Sequence, residues 1–104
     1  MFKINWEPLS EITFSEEIDF IFRKWNQIEV DKFALLVHEN LERLSKNATI
    51  GIYNSKNNCS SLVISKQTTL YYKIIEDKSQ IDLILFWNNK QNPKQLKKML
   101  HQSH

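Results

Sequence analysis

Apolar residues follow two different periods in the first half of the chain. Residues 2–6 alternate between apolar and polar side chains, which predicts a short strand with one buried face. Residues 8–26 and 30–46 carry apolar side chains three and four positions apart, which predicts two amphipathic helices. So short a connection between them implies that the helices run antiparallel. The side chains expected to face the core are Phe14, Ile18, Ile21, Phe22 and Trp25 in the first helix and Val30, Phe33, Ala34, Val37, Leu41 and Leu44 in the second.

Three extended segments are predicted in the second half of the chain. Residues 60–66, 69–76 and 80–87 have the character of strands, and the second is particularly rich in β-branched and aromatic side chains. The turns between them, at residues 67–68 and 77–78, are short enough for hairpins. We therefore expect an α+β fold, in which a short N-terminal strand accompanies an antiparallel two-helix hairpin packed on one face of a small antiparallel sheet.

Size and composition indicate one folded domain. With 104 residues, a single core is expected, spanning residues 1–104 with a basic C-terminal tail at about 94–104. Within that tail, residues 94–100 are a candidate for a short basic helix. The net charge of +2 is too small to indicate nucleic-acid binding by itself. A lone cysteine fits a reducing compartment, and neither a membrane-spanning run nor a signal peptide is recognisable, so the expected location is the cytoplasm.

The residues that most often bind metals are scattered along the sequence. His38, His101, His104 and the single Cys59 show no metal-ligand spacing, so we expect neither a metal nor another cofactor. A histidine near the end of a chain is more often a solvated residue than a catalyst. The same holds for His38, which lies beside the apolar stripe of the second helix.

The order of these elements, together with several local segments, resembles the RelE/ParE family of bacterial type II toxins. Family members are small proteins that poison a cellular target and are silenced by a partner antitoxin. The resemblance implies growth inhibition, a role in plasmid stabilization and a cognate antitoxin encoded by the adjacent gene. The resemblance also implies that the toxin's target is either DNA gyrase or ribosome-bound mRNA. The segments that carry the resemblance, which spans almost the whole chain, are residues 4–8, 41–44, 46–51, 62–74 and 86–93.

The resemblance does not extend to a catalytic centre. The ribosome-dependent RNases of this family need a general acid, a general base and cations around the reacting phosphate. In RelE these come largely from basic residues on the sheet and a C-terminal tyrosine. The corresponding positions here are Ser60, Leu62, Thr69 and Lys90, and no tyrosine follows Lys90. Catalytic residues are therefore unknown, and the interpretation leans to a ParE-like toxin that binds gyrase.

Two alternatives to a gyrase-binding toxin stay open. The chain could be a ribosome-dependent mRNA interferase with a rearranged catalytic set, or a non-toxic relative that only binds an antitoxin-like partner. The target-binding candidates under the toxin hypothesis are Lys66, Tyr71, Tyr72, Lys73 and Lys90, because aromatic rings stack on bases and lysines neutralise phosphates.

Alternation along residues 69–76 divides these candidates between two faces of the sheet. Leu70, Tyr72 and Ile74 share the face expected beneath the helices, whereas Tyr71 and Lys73 share the open face. The competing interpretation of the open face is an ordinary solvated surface with cross-strand pairs. Trp87 is interpreted as a core residue at the strand end rather than as a target contact.

Overall fold

A computed structural model describes residues 1–102 of the chain and shows an α+β domain. Three helices pack on a five-stranded sheet whose strand order is β1-β5-β4-β3-β2. Short 3-10 turns at Ala48–Ile50 and Glu76–Lys78 join neighbouring elements. The elements are β1 Lys3–Trp6, α1 Pro8–Lys24, α2 Gln27–Lys46, β2 Ile52–Asn54, β3 Cys59–Val63, β4 Thr68–Ile75, β5 Gln80–Asn88 and α3 Pro93–Gln102.

The sheet is mostly antiparallel, as predicted, with one parallel pair that corrects the expectation. Strand β1 runs parallel to β5, with Lys3 opposite Gln80 and Trp6 opposite Leu83. Parallel neighbours require a long crossover between them, and here that crossover includes the helix pair and the meander. The short edge strand β2 was not predicted, because its three residues are all exposed and carry no alternating pattern.

The connection between α1 and α2 comprises only Trp25 and Asn26, so α2 begins earlier than the predicted residue 30. Helix α2 already begins at Gln27, because the Asn26 side chain accepts a hydrogen bond of 3.0 Å from the Glu29 backbone N–H. An asparagine followed three positions later by glutamate is a recognised start signal for a helix. That signal was present in the sequence and places the boundary correctly.

The main core lies between the helix pair and the sheet. Four aromatic rings from β1, α1, α2 and β5 meet there, with Trp6, Phe14 and Phe86 in mutual contact at centroid distances of 5.4–5.5 Å. The ring of Phe33 stacks on Phe14 at 6.0 Å. The buried apolar members of this core are Ile21, Val30, Phe33, Val37, Leu44, Ala48, Ile64, Leu70, Tyr72, Ile81, Leu83 and Phe86.

Helix α3 partly covers the opposite face of the sheet, which had been expected to be open. Leu96, Met99 and Leu100 pack against residues of β3, β4 and β5, including Trp87. This confirms Trp87 as a core residue. The predicted basic tail is thus an amphipathic helix in residues 93–102, while Ser103 and His104 lie outside the described residues.

The buried face of α1 differs from the apolar stripe that the sequence predicted. Phe22 and Trp25 are exposed, whereas Thr13 and Glu17 are buried. Glu17 is bonded to Asn88, the last residue of β5, so roughly the last two turns of α1 extend past the sheet. At that end Ile21 is still buried in the core, whereas Phe22 and Trp25 are not. On α2, Ala34 is likewise exposed instead of facing the core.

Buried polar side chains of α1 contact the part of β5 that β1 is too short to pair with. Strand β1 ends opposite Leu83, and α1 continues along the rest of β5. There the Phe86 backbone N–H donates to Thr13 Oγ1 at 2.9 Å, and that hydroxyl donates to the Leu9 carbonyl at 2.8 Å. Buried backbone donors need such partners, which explains why polar residues occupy a buried helix face.

Candidate target-binding surface

Two of the five predicted target-binding residues lie close together at one end of the sheet. Lys66 is exposed in the loop between β3 and β4, and Lys90 is exposed just after β5. Asn89 joins the two segments, because its backbone N–H donates to the Gln67 carbonyl at 2.7 Å and its side chain donates to the Lys66 carbonyl at 3.4 Å.

The C-terminal turn of α1 brings two further cations to this end. Lys24 lies near Lys90, and the pKa of Lys24 is lowered because the two ammonium groups are within hydrogen-bonding reach and repel one another. The Lys24 ammonium also lies 4.9 Å from the Trp25 ring centroid and 5.6 Å from that of Phe20. Arg23 and Lys90 line the same cleft of about 570 Å³ between α1 and α3.

We name the group Arg23, Lys24, Lys66 and Lys90 the basic end of the domain. Sequence reasoning assigned Arg23 and Lys24 only to the helix dipole and missed their place in this cluster. Nothing in the local sequence indicates it, because α1 and the segment after β5 are more than sixty residues apart. Only the packing of α1 along β5 makes them neighbours.

Lys73 and Tyr71 do not belong to the basic end. Lys73 lies opposite Asp82 on β5 and lines a cleft of about 430 Å³ together with Glu7 and Asp82. Two acidic side chains therefore line the same cleft as Lys73. Tyr71 packs beneath α3, and burial raises the pKa of its phenol. The structure therefore divides the predicted basic-aromatic sheet face into separate parts.

Tyr72 must be removed from the candidate target contacts, because it is fully buried with 0% exposure. Its hydroxyl donates to the Ala48 carbonyl at 2.8 Å and accepts the Gly51 N–H at 3.1 Å. Burial raises the pKa of this phenol. The single glycine of the chain serves this contact, since a Cβ at Gly51 would lie 2.5 Å from both the Tyr72 hydroxyl and the Ser61 carbonyl.

Most of the positions that the family resemblance associates with RNA cleavage are buried or packed against the core. Ser60 and Thr69 are buried, and the Thr69 hydroxyl donates to Asn89 Oδ1 at 3.0 Å. Leu62 packs against the core, and Lys90 alone of these four positions presents a cation. The four positions therefore lack the combination of acid, base and cations that phosphate cleavage needs.

The histidines are not gathered with other metal-ligating side chains. Within residues 1–102, no group of three or more histidine, cysteine or acidic residues is close enough to hold a metal ion. His38 lies 3.2 Å from Glu42 on the exposed side of α2. His101 is exposed near the end of α3, and His104 lies outside the described residues. None of the helices in residues 1–102 has the length and apolar character needed to cross a membrane.

The fold, unlike the sequence, has clear similarity to known proteins. No protein-family model matches the chain, and no curated protein matches it by sequence. The isolated RelE toxin of Escherichia coli superposes with a TM-score of 0.60 at 11% identity, covering 95% of this chain and 99% of that chain. A chain of the intact E. coli RelBE toxin–antitoxin complex gives a TM-score of 0.59 at 12% identity, covering 85% of this chain and 96% of that chain. A YoeB/ParE toxin from Agrobacterium tumefaciens gives 0.57 at 12% identity, covering 84% and 98%. The chain therefore has the fold of the RelE/ParE toxins.

Proposed function

We propose that this chain is the toxin of a type II toxin–antitoxin system and that it inhibits growth by binding an essential macromolecule. The observation that carries the proposal is the RelE/ParE-like toxin fold, which extends over 84–95% of the chain in the three comparisons described above. One of those structures is a toxin–antitoxin complex, which supports a cognate antitoxin from the adjacent gene as the partner.

Binding is favoured over RNA cleavage by the surroundings of the family's catalytic positions. Buried or apolar side chains occupy three of the four, and no proton-transfer group replaces the missing cations at those positions. A toxin that acts by binding needs complementary shape and charge instead, and the basic end supplies exposed positive charge. We therefore assign the chain to gyrase-type, ParE-like action, with plasmid stabilization as the expected role of the pair.

The competing function is a ribosome-dependent mRNA interferase, and the basic end is the observation that favours it. Arg23, Lys24, Lys66 and Lys90 would attract RNA phosphates as well as any other polyanion. Lys90 also occupies the one family catalytic position that retains a cation. This alternative predicts cleavage, whereas the preferred function predicts intact mRNA.

Tightly controlled expression of the chain in a bacterial host tests the proposed function. Growth should stop after induction, and co-expression of the adjacent gene should restore it. Plasmid DNA should lose negative supercoiling because gyrase is inhibited, while primer extension should show intact mRNA. Cleavage of ribosome-bound mRNA at codon-phased sites would assign the interferase instead. Normal growth with the folded protein present would leave the non-toxic relative as the remaining description.

The lysines of the basic end should contribute to toxicity by graded amounts. Lys66→Ala and Lys90→Ala are each expected to weaken target binding from a few-fold to tens-fold, because exposed charges act through attraction and not through proton transfer. Lys73→Ala should have a smaller effect, since that residue lies apart from the basic end in a cleft that Glu7 and Asp82 also line. Dose–response curves for growth, with Lys56→Ala as the exposed control, measure the differences. An all-or-none loss of roughly 10²–10³-fold at Lys90 would contradict a binding mechanism.

A further inference from the structure

The cleft that Lys73 shares with Glu7 and Asp82 lies away from the basic end, towards the opposite end of β4 and β5. We name it the Lys73 cleft, and its volume is about 430 Å³. Three charged and four apolar side chains line it, contributed by β4, β5 and the start of α1. Pockets for small organic ligands begin at roughly 300 Å³, so the cleft is large enough to hold one.

The three charged side chains of the cleft are half-buried and unpaired. Lys73 is opposite Asp82 in the pairing of β4 with β5, and Glu7 lies at the N-terminus of α1. Within residues 1–102, neither carboxylate forms an ion pair with the Lys73 ammonium. A partly desolvated charge without a partner is unfavourable, so a ligand that brings the opposite charge to each group would be stabilised.

The side chain of Asn5 holds the two carboxylates in place. Its amide donates to Asp82 Oδ1 at 3.0 Å and to Glu7 Oε1 at 3.5 Å. Gln80 donates a further hydrogen bond of 2.6 Å to the same Asp82 oxygen. In the described part of the chain, the second oxygen of each carboxylate receives no hydrogen bond. Both carboxylates are therefore positioned in advance, with one oxygen apiece available to a donor on a ligand, and such preorganisation favours binding.

The uncharged part of the lining is apolar. Ile84 is 3% exposed, whereas Leu9 and Ile75 are half-buried beside it. Apolar surface that packs against these residues is removed from water, and this removal is favourable. The lining therefore fits a ligand that carries an apolar body beside its charged groups.

We infer that the Lys73 cleft binds a small zwitterion, namely an α-amino acid with a large apolar side chain. The ligand's carboxylate would accept a hydrogen bond from the Lys73 ammonium, and its own ammonium would donate to the available oxygens of Glu7 and Asp82. Its side chain would lie against Leu9 and Ile84. Because the cleft lies apart from the basic end, the inference goes beyond the proposed function and does not depend on it.

Ligands of a single charge match only part of this lining. A phosphate or another anion would be attracted by Lys73 but repelled by the two carboxylates. A cation would be repelled by the Lys73 ammonium, and residues 1–102 contain no group of three or more histidine, cysteine or acidic side chains suited to a metal ion. An uncharged apolar molecule would bury all three charges without giving them partners. A ligand that carries both signs next to each other satisfies every charged group of the cleft.

Three probes that share one apolar body test the inference. Phenylalanine carries both charges, phenylalanine amide carries only the ammonium, and 3-phenylpropionate carries only the carboxylate. Each probe is titrated into the chain while the backbone amide signals are followed by nuclear magnetic resonance. Phenylalanine should bind with a Kd on the order of 1 mM or tighter, as expected for a ligand of about a dozen heavy atoms. Each single-charge probe should bind at least about ten-fold more weakly, because charged groups of the cleft stay unpaired.

Variants that remove one charge identify the contacts. Lys73→Met and Glu7→Gln should each weaken phenylalanine binding by roughly ten-fold or more, because each removes a charge-assisted hydrogen bond. Lys73→Met should also bind phenylalanine amide more tightly than the wild type does, since a repulsion is lost. The Glu7 side chain makes no capping hydrogen bond, so Glu7→Gln leaves the start of α1 intact. Lys78→Met and Glu11→Gln are the matched controls at exposed positions outside the lining, and both should retain the wild-type affinity. Circular dichroism checks that every variant folds.

Four results would overturn the inference. The absence of any saturable shift at about 10 mM phenylalanine would mean that the chain binds no such amino acid. Equal affinities for phenylalanine and 3-phenylpropionate would make the cleft a simple anion site, and equal affinities for phenylalanine and its amide would make it a simple cation site. Unchanged binding in both Lys73→Met and Glu7→Gln would place the ligand elsewhere on the domain. Growth arrest is measured separately, so each of these results leaves the toxin assignment standing.

Discussion

Replacing Phe33 with alanine is expected to lower the free energy of unfolding by roughly 3–5 kcal/mol. Phe33 is 4% exposed and its ring stacks on Phe14, so the change removes buried surface and leaves a cavity between α2, α1 and the sheet. A domain of this size has only about 5–15 kcal/mol of stability in total. Urea denaturation should show a lower midpoint at an unchanged slope.

The matched control for Phe33→Ala is Leu35→Ala, two positions along the same helix. Leu35 is exposed, and its replacement should change stability by no more than about 0.5 kcal/mol. Equal midpoints for the two variants would mean that the α2 stripe does not pack as described.

Replacing Glu17 with alanine is expected to destabilise the domain by roughly 2–4 kcal/mol, since two buried donors lose their acceptor. One carboxylate oxygen accepts from the Thr68 hydroxyl, and the other accepts from the Asn88 side-chain amide at 3.1 Å. The buried carboxylate thereby joins α1 to the ends of β4 and β5. Thermal unfolding followed by circular dichroism measures the loss.

Two comparison variants locate the origin of the Glu17 effect. Glu17→Gln should cost less than Glu17→Ala, because the amide keeps one acceptor and the Thr68 hydroxyl can rotate to accept from its NH₂ group. Glu16→Ala, at the exposed neighbouring position, should be within about 0.5 kcal/mol of wild type. A Glu17→Ala protein as stable as Glu16→Ala would show that this side chain is not a structural link.

Local sequence patterns predicted the helices and the meander because their causes are local. The 3.6-residue period and Pro8 in the first turn of α1 act within a few residues of themselves. The Asn26 cap is equally local, but the predicted helix start at residue 30 overlooked it. Alternation along β4 likewise indicated that Tyr72 faces the helices, and its burial confirms that face. Including Tyr72 among target contacts conflicted with this alternation, and the structure removes it.

Interactions between distant segments were not predictable in the same way. The parallel pairing of β1 with β5, the contact of Thr13 with Phe86 and the contacts of Glu17 with Thr68 and Asn88 join residues more than fifty positions apart along the chain. Helix α3 carries Leu96, Met99 and Leu100 at helical spacing, but the face that they cover could not be chosen from the sequence. The basic tail was therefore recognised by charge, whereas its role in closing the sheet was not.

By itself, the sequence determined the α+β class, the helix pair, the meander and the resemblance to the RelE/ParE toxins, since periodicity and turn residues specify elements independently of their packing. The tertiary structure decided which side chains act together. Lys90 became a neighbour of Lys24, while Lys73 lies apart from them in a cleft that Glu7 and Asp82 also line. Trp25 was left exposed instead of in the core, because the C-terminal end of α1 lies beyond the last residue of β5. Surfaces arise from contacts between distant segments, and the long-range packing that creates them is not encoded in any one stretch of the chain.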